Sequence, residues 1–84
     1  MDMKELRDQI DVVDRQLVDL FSQRMSLSQQ VADYKKENNL PIYVPARERE
    51  KLKDVAKQAG ENAPYTKVLY STIFELSRGL MGIG

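Results

Sequence analysis

The chain of 84 residues carries thirteen basic and thirteen acidic side chains, which fits one small domain and leaves no net field toward nucleic acid or an anionic membrane. Cysteine and histidine are both absent, which excludes disulfides and thiolate chemistry and removes the usual general base and the usual metal ligand. No apolar run reaches the ~20 residues of a membrane span, and the charged opening MDMKELRDQ is no signal peptide. The expectation is a cytoplasmic protein with no nucleic-acid, membrane, metal or cofactor partner.

The first predicted element is a helix from about Met3 to about Asn38, free of proline and glycine. Leu6, Ile10, Val13, Leu17, Leu20, Arg24, Leu27, Val31 and Tyr34 recur at alternating steps of four and three, and all but Arg24 are apolar or aromatic. Such a stripe faces a core or a partner. The helix ends at NNLP, where two asparagines suit a C-terminus and Pro41 bars continuation. LPIYVP is then a short extended loop between prolines. Pro45 opens a second helix, about 46–59, with Leu52, Val55 and Ala59 on one side and Gly60 at its end. ENAP starts a third, about 64–81, with Asn62 or Ala63 as N-cap. It carries Tyr65, Leu69, Ile73, Leu76 and Leu80 inward, and Gly79, Gly82 and Gly84 loosen its last turns. The fold class is all-α, in a single domain over 1–84.

The length of the first helix bears on assembly. Some 35 helical residues span about 50 Å at ~1.5 Å per residue, whereas a compact chain of this size has a radius of gyration of only about 12 Å. The stripe therefore runs beyond anything its own chain can cover, and a two-fold dimer is the commonest solution. A monomer requires the helix to break near Ser22–Ser28, where three serines weaken it.

Arg24 interrupts that stripe, and arginine is rarely buried without a partner. Either a carboxylate inside the protein or a ligand supplies the opposite charge, unless the head bends out to solvent. At about 100° per residue, Lys35 points within about 20° of Arg24, and Arg7 about 100° away. Arg7 thus does not serve the same pocket within one chain but can reach a partner's. Arg47 and Glu48 open the second helix, and Ser77 and Met81 follow Ile73 along the third. Taken singly, Lys35, Arg47 and Glu48 read as solvated helix charges, and Ser77 and Arg7 say little. Several cations directed into a helical interior, without enough inward carboxylates, point together to an anionic ligand.

The stretches LRDQIDVVDRQLVDLFSQRMSLSQQVADYKK, LPIYVPARERE and IFELS resemble, in order and spacing, the all-helical chorismate mutase family. The resemblance implies an intertwined homodimeric helical bundle of three-helix chains, with two active sites that bind the dicarboxylate chorismate and rearrange it to prephenate for phenylalanine and tyrosine biosynthesis. It implies that Arg24 and Arg47 hold the substrate carboxylates and that Arg7 reaches into the other subunit's site. Lys35 then binds the ether oxygen of the breaking bond, Glu48 accepts the ring hydroxyl, and Ser77 lies near a carboxylate. Val44 stands where the family usually has aspartate, at a backbone N–H that approaches that hydroxyl. Met81 stands where the family places glutamine or a protonated glutamate, a second donor to the ether oxygen, and a thioether cannot donate. The family often occurs fused to neighbouring aromatic-pathway enzymes, so association or former fusion with one of them is a further expectation.

Two rivals share these features. Isochorismate pyruvate-lyases resemble the mutases and use a similar cationic pocket, although LPIYVPARERE and Glu48 look more like the mutase. A non-catalytic or weakly active regulatory helical dimer is favoured by Met81 and the glycine-rich tail. A DNA-binding helical protein is disfavoured by zero net charge without a one-sided basic patch.

Overall fold

The Asp2 side chain accepts a hydrogen bond from the Glu5 backbone N–H at 2.8 Å and so caps the first helix. In the computed structural model, which describes residues 1–82, that helix, α1, runs unbroken over Met3–Glu37. The serines at 22, 26 and 28 do not interrupt it. Asn38 is its C-cap, and Asn39 takes the left-handed conformation, φ 55°, that asparagine tolerates better than most residues. Residues 38–44 lead to α2, Pro45–Ala59, which starts on its proline. Gly60, at φ 58°, ends α2 and opens a single 3-10 turn over Gly60–Asn62, which passes without a loop into α3, Ala63–Leu80. Gly79 stays helical, and Gly82, at φ 77°, turns the chain out of α3. Gly84 lies outside the described residues. Helices are the only regular elements among the described residues, which contain no strand, and none of these helices is long and apolar enough to cross a membrane.

Packing is uneven. α2 folds back on α3, and α1 touches α3, but α1 and α2 make no close backbone approach. The buried apolar set is small: Ala32 of α1, Val55 of α2, and Ile73 and Phe74 of α3. Leu52 and Ala59 are half-buried beside Val55. The N-terminal part of α1 projects away from this core, giving extents of 55 × 23 × 20 Å and a radius of gyration of 15.9 Å, well above the roughly 12 Å of a compact chain of this length. Leu6, Ile10, Val13, Leu17 and Leu20 are exposed along it.

The inward face of α3 differs from the sequence expectation. Of Tyr65, Leu69, Ile73, Leu76 and Leu80, only Ile73 is buried within the chain. α3 carries a second line at four-three-four spacing, Tyr70, Phe74, Ser77 and Met81, and this line turns toward α1, burying Phe74 and Ser77. A ring and a hydroxyl win these places because α1 presents Arg24 and Ser28 opposite them. The guanidinium packs on aromatic faces, and Ser28 Oγ lies 3.5 Å from Ser77 Oγ.

Candidate functional site

The space that separates α1 from α2 is a cavity of about 620 Å³, floored by α3. α1 supplies Arg24, Ser28 and Lys35, all part-buried, together with Leu27 and Val31. The connecting segment supplies Ile42, Tyr43 and Val44. The first turn of α2 supplies Arg47 and Glu48, and α3 supplies Phe74, Ser77 and Met81. Seven residues singled out in the sequence therefore line one cavity: Arg24, Lys35, Val44, Arg47, Glu48, Ser77 and Met81. Arg7 does not. It is exposed on the projecting part of α1, some 17 residues or about 25 Å along the helix from Arg24 at ~1.5 Å per residue.

Local structure fixes each group. The 4-3 rhythm of α1 brings Arg24, Ser28, Val31 and Lys35 onto the face that looks at α3 and the connecting segment. The Arg24 guanidinium lies 5.5 Å from the centroid of the Tyr70 ring and 5.6 Å from that of Phe74. The two rings meet edge to face at 6.0 Å. Aromatic faces hold the cation without neutralising it. Lys35 Nζ donates to the Ile42 carbonyl oxygen at 3.2 Å, and an ammonium has three donors, so two are left for a ligand. Val44 is the extended N-cap of α2, and its carbonyl accepts from the Arg47 N–H at 3.0 Å. Pro45 sets the helix start that places Arg47 and Glu48 beside the opening.

Charge in the cavity is unbalanced. The ion pairs among the described residues are Lys4–Asp8, Lys51–Asp54 and Arg78–Glu48. Arg24, Lys35 and Arg47 are in none of them, and Glu48, the single carboxylate of the lining among the described residues, is engaged by Arg78. That contact holds the Arg78 guanidinium above its ordinary range, through its hydrogen bond to Glu48 and against the opposing effect of burial. Three cations facing one space, none of them in an ion pair among the described residues, suit a small ligand with more than one carboxylate. Ser77 is buried, 3.5 Å from Ser28 and 3.9 Å from the Met25 sulfur. Met81 presents a thioether to the cavity.

Tyr43, Tyr70, Phe74 and Arg78 also border the site and are not among the residues that the sequence singles out. The four-three-four line through Tyr70, Phe74, Ser77 and Met81 was an available signal. Arg78 gave none, because an arginine near a helix C-terminus is ordinary.

Comparison with known proteins gives one consistent result. Residues 6–81 match the family described as chorismate mutase type II. The T-protein of Enterobacter agglomerans is 45% identical over 58 residues, 69% of this chain and 16% of that protein. The T-protein of Haemophilus influenzae is 48% identical over 46 residues, 55% of this chain and 12% of that protein. A bifunctional chorismate mutase/prephenate dehydratase of Aquifex aeolicus is 43% identical over 49 residues, 58% of this chain and 14% of that protein. The matches span about a sixth or less of these curated relatives. No solved structure matches the chain.

Proposed function

The chain belongs to the chorismate mutase type II family, and on that premise we propose that it catalyses the unimolecular rearrangement of chorismate to prephenate in the biosynthesis of phenylalanine and tyrosine. The reaction breaks the ether C–O bond and forms a C–C bond within one molecule, so it needs no nucleophile, proton shuttle, metal or cofactor. Two requirements are left for the protein. The flexible dianion must be held in its compact reactive conformer, and negative charge on the ether oxygen must be stabilised as the bond lengthens. Arg24 and Arg47 take the carboxylates, with Ser77 beside one of them. Lys35 takes the ether oxygen through a donor not engaged by Ile42. Glu48 accepts the ring hydroxyl, and the Val44 backbone N–H approaches it. Interactions that strengthen only as charge develops lower the barrier.

The working unit is a homodimer, an intertwined bundle of three-helix chains with two sites. The long uninterrupted α1 and its exposed apolar stripe support this, and the partner subunit's Arg7 completes each site. A cytoplasmic location belongs to the same reading. So does association with a second aromatic-pathway enzyme, which the bifunctional relative from Aquifex aeolicus supports.

The observation that carries the proposal is the convergence of Arg24, Lys35 and Arg47, outside any ion pair among the described residues, on one cavity. Met81 favours a slow catalyst, since its thioether faces the cavity where a donor would help. The test is chorismate consumption by the purified chain with product identification. Prephenate is expected. Salicylate with pyruvate would make it a lyase, and no turnover by folded protein would make it a non-catalytic helical module.

A further inference from the structure

Arg78 does not line the cavity, yet it touches two groups that do. Its guanidinium donates to Glu48 Oε1, and both side chains are about three-quarters covered. The same guanidinium lies 5.6 Å from the centroid of the Tyr43 ring. Arg78 thus ties the last turn of α3 to the first turn of α2 and to the connecting segment, just outside the wall where Glu48 faces inward.

A carboxylate in a cavity lined by three cations has an obvious fate. Coulombic attraction at a part-buried site draws it onto the nearest of them, forming an internal ion pair that cancels a charge meant for the ligand. A cation placed behind the carboxylate prevents this. It satisfies Glu48 from outside, by a charge-assisted hydrogen bond to one oxygen, and leaves the second oxygen for a donor on the ligand.

We propose that Arg78 is a positioning residue that holds Glu48 away from Arg24, Lys35 and Arg47, so that those three stay open to a dicarboxylate while Glu48 stays available as an acceptor. The assignment rests on the function proposed above and adds a residue to it. Arg78 acts through Glu48 and Tyr43 and need not touch substrate.

Calorimetric titration with a rigid cyclic dicarboxylate that lacks a hydroxyl group tests it, because this probe reports on the cations alone. Wild type, Arg78→Gln, Arg78→Lys, Glu48→Gln and the double variant Arg78→Gln/Glu48→Gln are compared, with helicity checked for each. Arg78→Gln should bind the probe about tenfold more weakly, the factor carried by one charge-assisted contact. The double variant should bind it within about twofold of Glu48→Gln, because no carboxylate remains to collapse. Arg78→Lys, which keeps the charge, should stay near wild type. Undiminished binding by Arg78→Gln would overturn the assignment, as would a double variant as weak as Arg78→Gln, or a Lys variant as weak as Gln. A wild type that binds the probe but leaves chorismate unchanged would sink the proposed reaction and not this role. A wild type that binds no dicarboxylate would sink both.

Discussion

Lys35 Nζ and the Ile42 carbonyl oxygen are joined by a hydrogen bond of 3.2 Å, which makes one ammonium both a wall of the cavity and the tie that holds the connecting segment over it. The donor proposed for the ether oxygen is therefore already oriented before a ligand arrives, and preorganised donors do not have to be reoriented during the reaction.

Lys35→Ala should cost most of the activity, on the order of 10²–10³ in turnover by comparison with removal of a single charge-stabilising donor elsewhere. Its helicity should be unchanged, since α1 does not depend on that side chain. Steady-state rates beside a circular dichroism spectrum check this. Near-normal turnover would remove Lys35 from its assigned place.

Arg24→Ala should raise KM at least tenfold with only a small change in stability. Two effects oppose each other in the empty protein. Losing the contacts with Tyr70 and Phe74 costs about 0.5–1 kcal/mol each at sites of this kind, while removing a part-buried charge that is in no ion pair among the described residues returns a similar amount. Urea unfolding at fixed protein concentration should give a difference within about 1 kcal/mol. A loss of several kcal/mol would show that Arg24 is structural.

The chain should sediment as a dimer at micromolar concentration, with the exposed stripe from Leu6 to Leu20 as the contact. A folded monomer would overturn the case made from the length of α1. Mixing inactive Arg7→Ala and Arg24→Ala chains should then recover part of the activity, because one of the two sites in a heterodimer regains both arginines. No recovery after verified subunit exchange would count against Arg7 acting across the interface.

Met81→Gln should raise turnover roughly tenfold, the factor that about 1.4 kcal/mol of hydrogen bonding in the transition state gives. α3 is helical through Leu80 and the Met81 N–H bonds to the Arg78 and Ser77 carbonyls, so the new amide would sit on a held turn. A side-by-side rate measurement, with a structure of the variant, decides it. An ordered glutamine in the cavity with no gain in rate would contradict this account of the substitution.

The course of α1 is legible in the sequence because its apolar rhythm is long and no proline or glycine competes with it. Pro41, Pro45 and Gly60 mark the ends of the neighbouring helices for reasons of backbone geometry alone. The direction of Arg24 and Lys35 follows from counting residues around one helix. The rotation of α3 does not. It carries apolar residues on two adjacent faces, and which face turns to α1 depends on the match of Tyr70 and Phe74 to Arg24, a contact between positions about 50 residues apart. Arg78 was hidden for the same reason, since its partners lie on α2 and the connecting segment.

The gap between α1 and α2 has an evolutionary consequence. α1 and α2 make no close backbone approach across it, and the rings and small residues of α3 floor the cavity while its cations stand on α1 and α2. The placement of Lys35 and Arg47 can therefore drift separately from the residues of α3, whereas Arg24 is tied to the Tyr70 and Phe74 rings. Substitutions on one face of α3 should be able to change which cyclic dicarboxylates fit without disturbing Lys35 or Arg47, and a library confined to Ser77 and Met81, which leaves the Phe74 ring against Arg24, is the economical place to look for altered substrate range.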